Sequence, residues 1–504
     1  MIRRDAYVER MLRLTGNGNV KVVTGIRRCG KSYLLDRLLK RRLMDDGCGA
    51  DRIISVSLEQ KRNEKLRSPD ALHDHLVKAL KRIRGRAIVF VDELQMALPE
   101  RANEEARKRA ESALYGSLNE LKARPHTDIF VTGSNSSFLS DDVATMFRGR
   151  ADVVRVRPLT FAEFLPAVRK GELAAWKEYL AYGGMPGALS YAEGVDRKEY
   201  LQGLYETVYF KAIVERNAPL ADESVLERVS EVVMSSVGSL TNPARLTNTM
   251  KTVLGLKADY QVVRRHLGYL ESAYLVEEAK RWDVKGRHYM DFPCKYYSAD
   301  VGLRNARLEY RQQEPTHLME NIVFNELRAR GYSVDVGMVE IETRKGGKRE
   351  KRQHEIDFVV NFPGERVYVQ SAYAIPTDEK REQESLPLRK TGDSFRKIIV
   401  TGDYQDPWKD DAGVMHIGVI PFLLDKTLLE KQRGFPLTPC IRPRRDLAGT
   451  CRLLPRVHGH GRSAGELWYN CGRREDQEDE CDDRFASCAG EGGAGMFAVR
   501  GNVS

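Results

Sequence analysis

The chain has 504 residues, with 82 Lys and Arg against 72 Asp and Glu, which gives a formal net charge of +10. At about 100–200 residues per domain, this length predicts about three domains, each able to bury its own core. Hydrophobic residues at 41% and charged residues at 31% exclude a mainly disordered or collagen-like chain. No apolar stretch reaches about 18 residues, and the first residues lack the apolar core of a signal peptide. We therefore expect a cytoplasmic protein without a membrane partner.

The first 160 residues alternate short apolar runs with longer amphipathic runs. The apolar runs predict strands at 20–24, 53–58, 87–91 and 128–132. The amphipathic runs predict helices at 31–43, 69–83 and 102–123. Strands that alternate with helices of about 12 residues or more indicate βαβ units. The sequence therefore predicts an α/β domain, with a parallel sheet and flanking helices.

A glycine-containing segment lies between the first predicted strand and the first predicted helix. It fits the pattern G-x-x-x-x-G-K-[ST] with the residues Gly25, Ile26, Arg27, Arg28, Cys29, Gly30, Lys31 and Ser32. The glycines let backbone N–H groups close around phosphate oxygens, and a helix N-terminus favours negative charge. We expect Lys31 to reach the β- and γ-phosphates and the Ser32 hydroxyl to bind Mg²⁺. The segment predicts binding of ATP with Mg²⁺.

The predicted strand at 87–91 ends in two carboxylates, Asp92 and Glu93. Asp92 stands where a metal-coordinating aspartate belongs, and Glu93 is the candidate general base that polarises the attacking water. A buried strand with an ordinary acidic turn is the alternative interpretation, and the neighbouring phosphate-binding loop argues against it. The two carboxylates therefore predict hydrolysis of ATP.

Two more polar groups follow the strand at 128–132. Asn135 lies in the turn after this strand and is a candidate to hold the lytic water or the γ-phosphate. Arg148 and Arg150 come next, and Arg150 is a candidate to neutralise charge on the transferred phosphoryl group from a neighbouring domain or subunit. An oligomer is therefore possible. A plain polar turn and solvated arginines stay open as alternatives.

Beyond residue 160 the pattern changes. Residues 160–222 are helical in pattern, with an interruption at 183–187, and 223–305 combine helices with short extended runs. A helix at 320–330 then leads to strands near 332–338, 355–361, 367–372 and 397–401. From 431 to 504 no helical or strand period persists, and we expect a disordered tail. Its cysteines contain no C-x2-C pair, so a zinc site with His458 and His460 is an alternative to unpaired thiols.

Several motifs together resemble the bacterial and archaeal AAA-type P-loop ATPases of the ASCE class that carry a C-terminal domain of unknown function. These motifs occupy 23–32, 91–95, 132–135, 182–187, 200–205, 295–304, 320–327 and 355–360. The resemblance covers roughly residues 1–430 and implies an ATPase core at 1–160 and a helical lid or linker at 161–222. One departure is Ala212, where the family usually has Asp, so the role of that Asp cannot be transferred.

The resemblance also implies a winged-helix segment at 223–305. An amphipathic helix predicted at 259–273 carries Arg264, Arg265 and His266. The hairpin-like stretch that follows carries the basic residues Lys280, Arg281, Lys285, Arg287 and His288. Basic side chains on such a helix and wing are able to contact DNA phosphates. A solvated basic face is the alternative.

For residues 306–430 the resemblance implies a PD-(D/E)XK fold of the restriction-endonuclease type. In active members, an Asp on one strand and a Glu-x-Lys on the next hold Mg²⁺ and the water nucleophile. Here Asp357 takes the first position and Glu320 lies on the preceding helix, but the next strand carries Gln370 and Ala372 instead of Glu and Lys. We expect this domain to be catalytically inactive and to serve in binding, with help from the basic loop at 344–352.

The leading interpretation is an ATP-driven switch, in which the nucleotide state repositions the later domains on DNA or a protein partner. One alternative is an ATP-dependent nuclease whose metal site tolerates Gln370. The other is a nucleotide-binding interaction module that does not hydrolyse ATP.

Overall fold

The computed structural model describes residues 2–99, 103–133, 151–218, 220–253, 259–345 and 348–430. All of them belong to one compact unit that ends at Lys431. Within these ranges no helix is long and apolar enough to cross a membrane.

The N-terminal part is built on a five-stranded sheet in which all neighbouring strands are parallel. Its strands are β1 (Val20–Thr24), β2 (Ile53–Ser57), β3 (Ala87–Asp92), β4 (Thr127–Thr132) and β5 (Ala151–Arg155), in the spatial order β2-β3-β4-β1-β5. Every residue of β1, β3 and β4 is buried, as expected for a parallel sheet covered on both faces. The predicted parallel α/β architecture is confirmed.

Helices flank this sheet. They are α1 (Asp5–Leu14), α2 (Lys31–Tyr33), α3 (Lys40–Asp45), α4 (Pro69–Leu80) and α5 (Glu104–Ala123). A π-helical stretch, Leu34–Leu39, joins α2 to α3, so the helix predicted at 31–43 continues through a local widening. The Ser68 side chain accepts a hydrogen bond from the Ala71 N–H, and Pro69 follows it. This pairing is a common helix start, because proline lacks the N–H that would be unsatisfied there.

A group of helices follows β5. These are α6 (Phe161–Val168), α7 (Glu172–Tyr182), α8 (Val195–Gly203) and α9 (Lys211–Asn217), with a 3₁₀ turn at Pro186–Ser190 and a π-helical stretch at Leu204–Phe210. The predicted interruption at 183–187 has a packing reason. Gly183 has φ +67°, and the Gly184 N–H donates to the buried Asp300 carboxylate at 2.7 Å. This glycine pair therefore ties the helical group to the middle of the chain.

The middle of the chain contains three helices, a hairpin and a short helix. They are α10 (Glu223–Ser235), α11 (Pro243–Val253), α12 (Tyr260–Ser272), β6 (Val276–Asp283), β7 (His288–Ser298) and α13 (Val301–Arg307). The helix predicted at 259–273 thus matches α12 to within a residue at each end. Strands β6 and β7 pair antiparallel, as expected for a hairpin.

An eight-stranded sheet organises the C-terminal part, in the order β12-β13-β11-β10-β9-β8-β6-β7. Its remaining strands are β8 (Ser333–Lys345), β9 (Lys348–Phe362), β10 (Glu365–Ala372), β11 (Arg396–Thr401), β12 (Trp408–Lys409) and β13 (Met415–Gly418). The helices of this part are α14 (Pro315–Ala329), α15 (Asp378–Arg389) and α16 (Val419–Leu424). Because β6 pairs with β8, one sheet extends across residue 305, where we predicted a domain boundary.

Candidate nucleotide site and C-terminal carboxylate centre

The loop between β1 and α2 has a strongly curved backbone. Gly25, Arg28 and Gly30 have φ of +140°, +64° and +98°. A Cβ on Gly25 would collide with the Val156 carbonyl oxygen, so this position requires glycine. Left-handed residues within a turn aim successive backbone N–H groups toward one side and form a concave anion-binding surface. The predicted phosphate loop therefore has a backbone suited to phosphate.

Neighbouring elements hold this loop from outside. Arg4 is 2% exposed, donates to the Cys29 carbonyl at 3.1 Å and forms a salt bridge with Glu163 of α6 at 2.9 Å. The Tyr209 hydroxyl donates to the Arg27 carbonyl at 2.7 Å. The loop is thus anchored by the N-terminus on one side and by the helical group after β5 on the other.

Lys31 lies inside the loop that precedes it. Its ammonium donates to the carbonyl oxygens of Gly25 and Ile26 at 3.0 and 3.1 Å, and the residue is 4% exposed. The Gly25 and Ile26 carbonyls hold the Lys31 ammonium within the curve of the loop, where it would contact bound phosphates. The predicted position of Lys31 therefore has a physical basis.

Asp92 is surrounded by three hydroxyl groups. Its Oδ1 accepts hydrogen bonds from Ser32 at 2.8 Å and from Thr132 at 2.7 Å, and its Oδ2 accepts one from Ser57 at 3.2 Å. Because β2, β3 and β4 are parallel neighbours, their carboxyl ends place Ser57, Asp92 and Thr132 side by side. Asp92 and Ser32, which we predicted to share Mg²⁺, are brought into direct contact.

Glu93 follows Asp92 in a left-handed conformation, with φ +55°. Its N–H donates to the Thr132 hydroxyl at 2.8 Å, and its carboxylate accepts a hydrogen bond from the Gln95 amide. Left-handed backbone is uncommon for a residue with a side chain and is often found at functional sites. Because the Thr132 hydroxyl bonds both the Glu93 N–H and the Asp92 carboxylate, one threonine positions both residues.

Three arginines from different elements interact electrostatically near Glu93. Desolvation lowers the pKa of the Arg216 guanidinium, the nearby guanidiniums of Arg27 and Arg107 lower it further, and Glu93 opposes them. Arg107 is also paired with Glu111 at 3.1 Å, so positive and negative side chains from separate elements meet at this edge of the site.

The residues present fit Mg²⁺-ATP. A serine hydroxyl and a carboxylate in contact provide the hard oxygen ligands that Mg²⁺ prefers. The curved loop and Lys31 provide N–H donors and a positive charge for phosphates. Asn135, Arg148 and Arg150, also predicted for this site, lie outside the described residues.

Some residues at this site were not predicted from the sequence. Ser57 and Thr132 contact Asp92 but were not predicted as site residues, and Tyr209 and Arg216 come from the helical group 160 residues or more beyond the loop. Thr132 ends a predicted strand and Ser57 lies one residue before the end of another, and these positions were the available signal. Nothing in the sequence pairs Tyr209 or Arg216 with the loop.

The predicted DNA-contacting residues divide into two groups. Arg264 and Arg265 on α12 are exposed, as are the hairpin residues Lys280, Lys285, Arg287 and His288. His266 is 1% exposed, accepts a hydrogen bond from the Asp222 N–H at 3.0 Å and so helps to fix the start of α10. Arg281 is 7% exposed and donates to Gln353 of β9 at 3.0 Å. The prediction of a surface role was therefore wrong for His266 and Arg281.

The C-terminal carboxylates converge on a lysine that we did not predict. The Lys295 ammonium, from β7, lies 2.8 Å from Glu320, 3.1 Å from Asp357 and 2.5 Å from Glu355. Gln370 of β10 donates to Glu384 at 3.1 Å and accepts a hydrogen bond from the Asp357 N–H at 3.3 Å. β10 carries Ala372 at the position where the motif has lysine, but β7 supplies Lys295 to the same carboxylates.

Comparison with known proteins agrees with the N-terminal geometry. Residues 17–165 match the model of a family described as an AAA domain, and residues 173–314 match a domain of unknown function. A curated protein of Haemophilus influenzae is 29% identical over 429 residues, which are 84% of this chain and 99% of that protein. A second, from Methanocaldococcus jannaschii, is 24% identical over 80% of this chain and 87% of its own length. Both are described as uncharacterized.

Among solved structures, a Walker-type ATPase of Pyrococcus abyssi aligns with a TM-score of 0.42 and 16% identity. The alignment covers 61% of this chain and 96% of that one. The family match coincides with the parallel sheet, the curved loop and the Ser32–Asp92 contact. Residues 17–165 of this chain are therefore similar to an AAA domain.

Proposed function

We propose that the protein binds ATP with Mg²⁺ and hydrolyses it. The observation that carries this proposal is the 2.8 Å contact between Ser32 and Asp92, directly beside the loop that holds Lys31. In P-loop ATPases these two groups bind the metal and the lysine contacts the phosphates.

Each residue has a role that follows from its position. Lys31 balances negative charge on the β- and γ-phosphates, and the loop N–H groups orient them. Glu93 accepts the proton of the attacking water as general base. Ser32 and Asp92 would hold Mg²⁺, which would supply charge neutralisation at the phosphate oxygens. Thr132 keeps Asp92 and the Glu93 backbone in register by bonding both.

Replacement of Lys31 tests the binding part of the proposal. Lys31→Ala should abolish detectable ATP binding, because it removes the charge that faces the phosphates. Titration of a fluorescent ATP analogue measures this, with Lys61→Ala, a highly exposed lysine, as the matched control. Unchanged affinity in a folded Lys31→Ala variant would contradict the proposal.

We further propose that the nucleotide state acts on DNA or on a protein partner through the middle of the chain. Support comes from the net charge of +10 and from the exposed basic residues of α12 and the β6–β7 hairpin. A guanidinium contributed by Arg150 of a second subunit remains a prediction of the same mechanism. ATPase rates measured with and without DNA test the coupling, and DNA that neither binds nor changes the rate favours a protein partner.

Nuclease activity is the second candidate, and the buried position of the C-terminal centre argues against it. Lys295 is 2% exposed, and the side chains of Glu320 and Asp357 are each 8% exposed. We expect no cleavage of linear, circular or single-stranded DNA with Mg²⁺ or Mn²⁺, with or without ATP. Nicking by the wild type that disappears in Asp357→Ala would restore the nuclease interpretation.

A further inference from the structure

The C-terminal carboxylate centre is held by one central cation that belongs to the chain itself. Lys295 contributes its ammonium from β7, Glu320 its carboxylate from α14, and Glu355 and Asp357 theirs from β9. All three carboxylates reach the same Nζ atom at 2.5–3.1 Å. Four charged groups from three elements therefore share one point.

The surrounding protein holds the carboxylates in these positions. The Tyr297 hydroxyl donates to Glu320 at 2.7 Å, and the Ser371 N–H donates to the second oxygen of Asp357 at 2.9 Å. A Cβ added to Gly238 would lie 3.0 Å from the Glu320 carboxylate, so little space remains on that side. The centre is closely packed around the ammonium.

The residues do not fit the metal that a PD-(D/E)XK fold would imply. Across the described part of the chain, no group of three or more His, Cys, Asp or Glu is arranged to hold a metal ion. A cluster of carboxylates would suit Mg²⁺, but here the ammonium lies among them and makes the contacts that a metal would make. A buried carboxylate needs a counter-charge, and Lys295 provides it.

We propose that Lys295 replaces the divalent cation of this centre, so that the wild-type protein binds no metal there, and that neutralising Lys295 creates a divalent-cation site. This inference is independent of the ATPase activity proposed above. It concerns different residues, and no nucleotide takes part in it.

Charge counting supports the proposal. One ammonium faces three carboxylates, which leaves a formal deficit of two positive charges if all are ionised. Burial raises the pKa of Glu320 to about 7 despite Lys295, and burial also raises the pKa of Glu355. When Lys295 is removed, the carboxylates lose the ammonium that contacts all three of them, and a divalent cation then competes only with protons for this centre.

Binding of Mn²⁺ to the nucleotide-free full chain tests the proposal directly. We compare the wild type, Lys295→Met, Asp357→Asn and the double variant by electron paramagnetic resonance and thermal unfolding. Lys295→Met should bind Mn²⁺ at least about tenfold more tightly than the wild type at this centre, because a like charge has been removed. The double variant should lose that gain. Bound Mn²⁺ should also raise the unfolding midpoint of Lys295→Met.

The controls separate this centre from the nucleotide site. Mn²⁺ at Ser32 and Asp92 would affect the wild type and Asp357→Asn equally, and equal effects therefore support the proposal. A wild-type Mn²⁺ site that disappears in Asp357→Asn overturns it, as does a folded Lys295→Met variant that gains no Mn²⁺ binding.

A further variant keeps the proposal testable if Lys295→Met does not fold. Glu355→Gln removes one excess negative charge from the most exposed carboxylate of the centre. With Lys295 as the counter-charge, this variant should be at least as stable as the wild type in the presence of EDTA. A clear loss of stability in EDTA would overturn the proposal.

Discussion

The nucleotide site and the C-terminal centre both place an aspartate from a sheet strand among polar neighbours, but those neighbours differ. Asp92 is contacted by the hydroxyls of Ser32, Ser57 and Thr132. Asp357 faces the ammonium of Lys295. Hydroxyls leave the carboxylate with its charge and can themselves bind a metal, whereas an ammonium neutralises the carboxylate and excludes another cation.

The comparison shows that a buried carboxylate on a strand does not by itself define a metal site. The group that occupies the space in front of the carboxylate decides its chemistry. At Asp92 that space adjoins the phosphate loop. At Asp357 it is filled by a side chain from a distant strand. Loss of a carboxylate charge at the nucleotide site should therefore slow ATP hydrolysis, whereas the same loss at the C-terminal centre should leave the rate unchanged.

The largest expected difference concerns ATP hydrolysis. Glu93→Gln should keep ATP binding and slow hydrolysis by roughly 10²-fold or more, because the general base is lost. Asp357→Asn should leave the rate unchanged, since its carboxylate contacts only groups of the C-terminal centre. Single-turnover phosphate release measures both. Equal rates for Glu93→Gln and the wild type would place the catalytic base elsewhere.

A second prediction concerns the ion cluster that joins β5 of the N-terminal part to α14 of the C-terminal part. Glu277 forms salt bridges with Arg155 at 2.9 Å, Arg157 at 2.6 Å and Arg328 at 2.7 Å. Arg155 is the last residue of β5, and Arg157 follows two residues later. Arg328 lies on α14, the helix that carries Glu320. Burial alone would raise the pKa of Glu277, but the three arginines outweigh it and lower this pKa to about 2.

The sign of the pH dependence follows from that shift. Because the folded pKa lies below the ordinary value of 4.5, the ionised form stabilises the fold above about pH 4.5, and this stabilisation is lost as pH falls through about 2. It amounts to roughly 3 kcal/mol at neutral pH. In urea unfolding at pH 7, Glu277→Gln should lose most of this stabilisation. The difference in the free energy of unfolding between the variant and the wild type should become smaller toward pH 3.

The control for this prediction is Glu382→Gln, which removes a carboxylate from an exposed pair with Arg389. An exposed pair contributes at most about 1 kcal/mol, so this variant should differ little from wild type at either pH. A Glu277→Gln variant as stable as Glu382→Gln at pH 7 would mean that the cluster does not hold the two regions together.

The smallest expected effect concerns the exposed basic residues of α12. Any DNA binding should weaken steeply with salt through counterion release. Arg264→Ala with Arg265→Ala should lower the slope of log affinity against log salt by about one per lost phosphate contact. Fluorescence anisotropy at several salt concentrations measures this, with Arg41→Ala and Arg109→Ala, two exposed arginines outside the predicted DNA-binding segments, as a control for general loss of charge. No binding even at low salt would favour a protein partner.

Much of the N-terminal fold could be predicted because its signals are local. Buried strands in a parallel sheet read as continuous apolar runs, and β1, β3 and β4 were found within a residue of their observed limits. The hairpin of the middle segment was also predicted. Its junction with β8 was not, since pairing between distant strands leaves no mark in either strand alone. That junction also explains why Arg281 is buried against β9.

The sequence by itself determined the phosphate loop and the position of Asp92. Their residues are contiguous, and the required backbone follows from Gly25, Gly30 and the helix that starts at Lys31. Only the tertiary structure decided what faces each carboxylate. Ser32 reaches Asp92 across 60 residues, and Lys295 reaches Asp357 across 62. The second contact could not be predicted, because a lysine in a strand carries no local signal of the buried charge that it will meet.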